Sequence, residues 1–219
     1  LTFFPASYED ELWYGIITRY HIRSGNTCWK YTIQELFPET KGYPRLGDTM
    51  PNTTMQIIVA QLPKNVLSLR DCALQHSLFP FRMRFQPLDK KREYLQEFLD
   101  GKNMQPKFLF TTKKNGAEMP LRFCPQCIAD DAEQHGEPYW HTEHQIASLP
   151  LCPKHLCRLV SMPKQNTMPI GQQLILPPEE PPDADFAATE TEYSLTEALH
   201  YMYTLPYETS PNILSENLS

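Results

Sequence analysis

A chain of 219 residues, 41% of them hydrophobic, can build one or two domains with a real core. No apolar run comes near the ~18 residues that a membrane-spanning helix needs, and no signal peptide opens the chain, so we expect a cytoplasmic protein without a membrane partner. The net charge of −6 hides opposed blocks: residues 61–125 carry 12 basic and 6 acidic side chains, whereas residues 177–219 carry 9 acidic and no basic ones. The two blocks therefore suit different partners.

Capping patterns predict two helices near the start of the chain. Ser7 and Asp10 resemble a capping box ahead of a broad apolar face, and Gly25 predicts where that helix ends. Thr32 and Glu35 form a second box, which predicts a helix of one or two turns.

Three further helices are predicted between residues 53 and 101. The first starts near Thr53 and is closed by Pro63, because proline cannot continue a helix. Ser68 with Asp71 opens the second, and Asp89 is expected to cap the third.

Short helices with short breaks indicate a compact, mainly α domain of helix-turn-helix type over residues 1–105. Residues 53–62 and 68–76, with the break at 63–67, are the best candidates for the motif itself. An ordinary helical bundle is the alternative, since spacing alone does not separate the two.

The rest of the chain divides into three predicted regions. Residues 106–165 are expected to form a small zinc-finger or zinc-ribbon module, and residues 166–192 a proline-rich acidic linker. Residues 193–219 would begin a further helical region of a longer protein. Their first helix is too short to be stable alone, so we expect it to dock on this chain or on a partner.

Two Cys-x-x-ligand turns carry the strongest chemical signal. Cys124-Pro-Gln-Cys127 is followed after 24 residues by Cys152-Pro-Lys-His155, and such paired turns typically supply four tetrahedral ligands to one structural Zn²⁺. Four unliganded buried residues, or two disulfides, are the alternatives. Cys157 is expected to point away from the metal. Arg122, Lys154 and Arg158 flank the ligands and could offset the net charge of −1.

Basic side chains in residues 61–125 are candidates for contact with DNA phosphates. The alternative is that many of them simply face water. The candidates are Arg82, Arg84, Lys90, Lys91, Arg92, Lys113, Lys114 and Arg122.

A zinc hydrolase is the sharpest rival interpretation. His141-Thr142-Glu143 matches half of a nucleobase-deaminase signature, but only eight residues separate Glu143 from Cys152. That rival also leaves Cys124 and Cys127 unexplained, and a motif with four ligands keeps no open position for catalysis. We therefore expect no catalytic residues.

Several stretches together resemble the TniQ/TnsD family, and they cover roughly residues 3–160 in the family's order. His144 departs from the family's pattern, which commonly has Trp there, and it could add a fifth ligand. The stretches are residues 4–12 with Arg19, Ser24 and Gly25, residues 76–80 leading to Phe85, Arg122-Phe123-Cys124-Pro125-Gln126-Cys127, Gly136-Glu137-Pro138-Tyr139-Trp140, and Leu149-Pro150-Leu151-Cys152-Pro153-Lys154-His155.

This resemblance implies a target-site selector of bacterial transposons, working in the bacterial cytoplasm. Such proteins bind an attachment site in double-stranded DNA, or are recruited by a CRISPR effector complex, and pass the target to an AAA+ ATPase regulator of transposition. The resemblance thus implies a non-enzymatic adaptor. A zinc-dependent DNA-binding transcriptional regulator would share the metal and the basic block but would need no ATPase.

Overall fold

The computed structural model describes residues 1, 3–40, 44, 46–102, 120–162 and 174–210. Within these ranges the fold is mainly helical, as expected, and no helix is long and apolar enough to cross a bilayer. One two-stranded antiparallel sheet pairs β1 (Arg122–Phe123) with β2 (Val160–Ser161). The helices are α1 (Trp13–Ser24), α2 (Trp29–Leu36), α3 (Thr53–Gln61), α4 (Leu69–Gln75), α5 (Phe79–Arg82), α6 (Leu88–Leu99), α7 (Pro125–His135) and α8 (Glu190–Thr204).

Helix α1 begins later than its capping pattern predicts. Asp10 has a φ of 56°, so the chain turns sharply there, and the N-cap position falls on Leu12, whose side chain caps nothing. The N–H of Leu12 donates instead to the carbonyl of Trp140, at 2.7 Å. A tertiary partner therefore replaces the local cap, and the predicted role of Ser7 and Asp10 was wrong.

Other predicted boundaries depend on local capping and are confirmed. Ser68 accepts a hydrogen bond of 3.0 Å from the N–H of Asp71 at the start of α4. Helix α3 starts at Thr53, where the Asn52 side chain caps it. Gly25 ends α1 with a φ of 72°, a left-handed conformation that glycine adopts without strain.

Two other helix starts differ from the prediction. Helix α2 begins at Trp29, one turn before the predicted cap Thr32, whose hydroxyl lies 2.7 Å from the His21 ring instead. Helix α6 begins at Leu88 after Pro87, so Asp89 lies inside its first turn. A carboxylate there still favours the helix, through the macrodipole.

One hydrophobic cluster joins both halves of the described chain. It contains fully buried side chains of α1 through α6, centred on α1, whose residues 13–20 are all buried. The cluster continues past residue 105 into the part of the chain that carries the cysteines. From that part it takes Leu121, Phe123, Ile128, Trp140 and Leu174.

The last helix, α8, docks on the chain's own body. Its Leu199 is buried against Leu78, Ile146 and Leu149. A capping box formed by Thr189 and Glu192 defines its start. The sequence predicts that this helix docks either on this chain or on a partner, and the structure shows it docked on this chain.

Candidate metal centre

Two local turns present the four predicted donors. Cys124 is the N-cap of α7, and its Sγ accepts the N–H of Cys127 at 3.4 Å, which places both sulfurs at the start of the helix. In the second turn the N–H of Leu156 donates to the carbonyl of Cys152 at 2.8 Å, and Leu156 has a φ of 56°. This left-handed residue folds the chain back just after His155.

The donor atoms are spaced as one tetrahedral ion requires. His155 Nδ1 lies 3.4 Å from Cys124 Sγ, 3.3 Å from Cys127 Sγ and 3.7 Å from Cys152 Sγ. The Cys127 and Cys152 sulfurs are 3.7 Å apart, and all four donors lie within 4.8 Å of one another. Tetrahedral Zn²⁺ bonds would set about 3.8 Å between sulfurs and about 3.6 Å between sulfur and nitrogen. These four residues could therefore hold a metal ion.

Cys152 and Cys127 differ in thiol acidity. Hydrogen bonds from Cys124 and Cys127 lower the pKa of the Cys152 thiol to about 3. Hydrogen bonds with Cys124 and Cys152 raise the pKa of Cys127 above its usual range. The Cys152 thiolate is thus stabilised at the expense of Cys127.

Asp130 supports the imidazole ligand from behind. Its Oδ2 lies 3.0 Å from His155 Nε2, so the carboxylate holds the Nε2–H tautomer and leaves the Nδ1 lone pair facing the sulfurs. Sequence reasoning missed this residue. The available signal was its position three residues after Cys127, on the same face of α7.

Cys157 does not point away from the cluster. Its Sγ is fully buried, 3.3 Å from Cys124 Sγ, because the turn at Leu156 brings the chain back and the Cys152 N–H donates to the Cys157 carbonyl at 2.8 Å. Burial raises the pKa of the Cys157 thiol to about 12. It is therefore placed to donate a hydrogen bond to a Cys124 thiolate, outside the set of four.

His144 lies at the edge of the cluster. Its Nε2 is 3.9 Å from Cys127 Sγ and the ring is buried. Burial, and next the charge of His141, lower the pKa of His144 to about 3, so the ring is neutral. This placement suits an N–H donor to sulfur.

The residues of the deaminase-like triplet are committed to other contacts. His141 lies 3.0 Å from Asp131 and 3.6 Å from Asp10. Burial alone would lower its pKa, but hydrogen bonds to these two carboxylates raise the pKa of His141 to about 10. Glu143 pairs with His200 of α8 at 2.8 Å. Both side chains thus join structural elements and do not line the four-donor cluster.

None of the three flanking basic side chains is directed at the sulfurs. Lys154 pairs with Asp130 at 2.5 Å, and Arg158 makes a bidentate pair with Glu192. The Arg122 guanidinium donates to the carbonyls of residues 146 and 149, which ties β1 to the loop before the second turn. Both terminal nitrogens of Arg122 thus make hydrogen bonds inside the fold, and its contact with phosphate stays a prediction.

The remaining phosphate candidates fall into three groups. Arg84 and Lys91 are fully buried, so neither charge is available to a duplex in this conformation. Lys113 and Lys114 lie outside the described residues. The other three lie on α5 and α6: Arg82 is half-buried, Lys90 is exposed and pairs with Glu93, and Arg92 is exposed.

Two exposed cations that the sequence analysis passed over lie on the candidate helix-turn-helix. Lys64 is in the connection between α3 and α4, and Arg70 is in the first turn of α4. Helix α4 contacts α3, α5 and α6, so Arg70 and Arg92 are carried by neighbouring helices. Both missed residues belong to the basic block and could have been found from it.

Known proteins resemble the part of the chain that carries the four donors. The TniQ family model matches residues 2–159, which include all four donors. The transposon Tn7 transposition protein TnsD of Escherichia coli is 25% identical over 155 residues, which are 69% of this chain and 30% of that protein. The chain thus spans less than a third of that relative's length. The match over most of the chain shows that it belongs to the TniQ family, as its motifs indicated.

Proposed function

We propose that this protein selects the DNA site at which a transposon inserts. It acts as a non-enzymatic adaptor that binds double-stranded DNA and recruits an AAA+ ATPase regulator of transposition. The observation that carries the proposal is the family match over residues 2–159, shared with a relative named as a transposition protein.

One structural Zn²⁺ held by Cys124, Cys127, Cys152 and His155 is part of this proposal. Four protein donors fill a tetrahedral site, so no position is left for substrate, and the three sulfurs are buried. When bound, the ion would supply a cross-link between the start of α7 and the second turn. That role supports the fold and supplies no catalysis.

Contact with DNA is assigned to α3 and α4, used as a helix-turn-helix, and to the exposed cations around them. Arg70 and Arg92 support this assignment because both are exposed and their helices are in contact. Each lost phosphate contact should reduce the slope of log K against log salt by roughly 0.9. Replacing both with Ala should therefore lower the slope by about 1.8.

The test measures duplex binding by anisotropy and ATPase recruitment by co-purification with DNA and ATP. Lys30→Ala is the matched control, because Lys30 is exposed on α2 but lies outside the basic block. DNA binding without recruitment would indicate a transcriptional regulator instead. Recruitment that needs a CRISPR effector complex and survives the double variant would replace direct DNA binding with guided recruitment.

A further inference from the structure

The segment that follows α8, residues 205–209, covers two buried cations. Arg84 donates hydrogen bonds of 2.7 and 2.8 Å to the first two carbonyls of the segment. Lys91 donates to the carbonyls of Tyr207 and Thr209, at 3.3 and 2.8 Å. Both cations are 0% exposed, and carbonyls of this covering segment accept four hydrogen bonds from their charged groups.

The charges of this cation pair are poorly compensated. Among the described residues, neither side chain has a carboxylate within ion-pair distance, and Arg84 Nε is buried without a partner. Burial, and next the Arg84 charge, lower the pKa of Lys91. Carbonyl dipoles at the end of α8 offset part of this cost, but a bidentate anion would offset far more.

The covering segment also borders the candidate DNA-binding helix. The Tyr207 hydroxyl donates to the Lys91 carbonyl at 2.7 Å, and its ring lies 5.4 Å from the Phe79 ring. Arg70 of α4 is near enough to lower the pKa of the Tyr207 phenol, although burial has the larger effect and raises it. If the segment left, Arg84 and Lys91 would join Arg70 on one basic surface.

Helix α8 has anchors that do not involve the covering segment. That helix is anchored upstream by the packing of Leu199, by the Glu192 pair with Arg158 and by the His200 pair with Glu143. Residues 205–209 depend mainly on Tyr207 and on the four hydrogen bonds from the two cations. Residues 177–219 carry only acidic charge, so an approaching phosphate backbone repels this part of the chain.

We propose that Arg84 and Lys91 form a phosphate-binding site that residues 205–209 mask, and that the backbone of duplex DNA displaces this segment. The inference rests on the proposed binding of DNA. Arg84 and Lys91 add phosphate contacts to those of the exposed cations. They make these contacts only after residues 205–209 have been displaced.

The test compares Tyr207→Ala with Tyr201→Ala, a matched control because Tyr201 is an exposed tyrosine of α8 outside the covering segment. Binding of a 30-base-pair duplex is measured by anisotropy from about 50 to 200 mM salt. Tyr207→Ala should raise duplex affinity at every salt concentration and leave the salt slope unchanged, because the wild-type complex makes the same phosphate contacts once the segment is displaced. Adding Arg84→Gln and Lys91→Gln to Tyr207→Ala should lower the slope by about 1.8 below that of the wild type.

Hydrogen exchange of residues 205–210 provides the second readout. DNA should speed exchange there in the wild type, whereas a purely structural clamp would be unaffected or further protected. An unchanged duplex affinity in a folded Tyr207→Ala variant whose segment exchanges fast would overturn the masking proposal. If no variant binds the duplex, the proposed function is wrong. The masking proposal is then tested by elution from heparin, where the Tyr207→Ala variant must need more salt than the wild type.

Discussion

Asp130 should control how firmly His155 holds the metal. The carboxylate lies 3.0 Å from His155 Nε2 and fixes the tautomer that offers Nδ1 to the ion. Removing such a partner typically costs 10–100-fold in metal affinity, or about 1.4–2.7 kcal/mol. The Asp130 side chain is 41% exposed, so water would partly replace it in Asp130→Ala. We therefore expect Asp130→Ala to lose metal affinity near the lower end of this range, about tenfold.

The assay is competition for Zn²⁺ against a chelator of known affinity at pH 7. Lys154→Ala is the matched control, since Lys154 binds the same Asp130 oxygen at 2.5 Å but does not touch the imidazole. It should change the affinity by less than about twofold, because an exposed ion pair contributes little. Asp130→Asn keeps an acceptor oxygen, so its Zn²⁺ affinity should lie between those of the wild type and Asp130→Ala.

Two results would refute this reasoning. The first is an Asp130→Ala affinity indistinguishable from the wild type while Cys152→Ser has lost the metal. The second is an equal loss in Lys154→Ala, which would mean that the carboxylate acts through local charge and not by orienting His155.

Three further predictions concern the cluster and the core. Cys152→Ser should abolish stoichiometric zinc and lower the melting temperature, whereas Cys157→Ser should keep zinc by metal analysis, because Cys157 stands outside the four donors. The folded pKa of His141 is raised to about 10 from 6.5, so its contribution is complete below pH 6.5 and lost as pH rises through 10. Denaturant titrations should show the wild type losing up to about 5 kcal/mol over that range, and His141→Gln losing less. Gly15→Ala should destabilise by about 1 kcal/mol despite its helix propensity, since the new Cβ would meet the buried Glu11 side chain at 3.2 Å; an unchanged urea midpoint would refute this.

Features encoded in neighbouring residues could be predicted from the sequence. The Ser68 cap and the Gly25 stop each depend on one residue and its immediate backbone, and the structure has both. The four donors follow the same logic, because each Cys-x-x-ligand turn is self-contained. Only the meeting of the two turns needed the tertiary fold, and their pairing in one chain was enough to predict it.

Features decided at long range could not be predicted in this way. The burial of Arg84 and Lys91 depends on a segment more than a hundred residues later, and a basic stretch gives no signal of it. Cys157 was expected to point away from the metal because it lies two residues past His155. Leu156 gives no sign in the sequence of its left-handed φ, which usually falls on glycine. The start of α1 depends on a carbonyl supplied by Trp140.

The spacer between the two Cys-x-x-ligand turns links the four-donor cluster to the helical core. Glu137 accepts a hydrogen bond of 2.7 Å from the buried Arg19 of α1, and the Trp140 carbonyl accepts the N–H of Leu12. One turn further, Glu143 holds α8. An ion that fixes both ends of this spacer therefore also fixes the surface on which α1 and α8 pack. The metal would thus stabilise the helices proposed to meet DNA through the core that they share with the cysteine-bearing part of the chain.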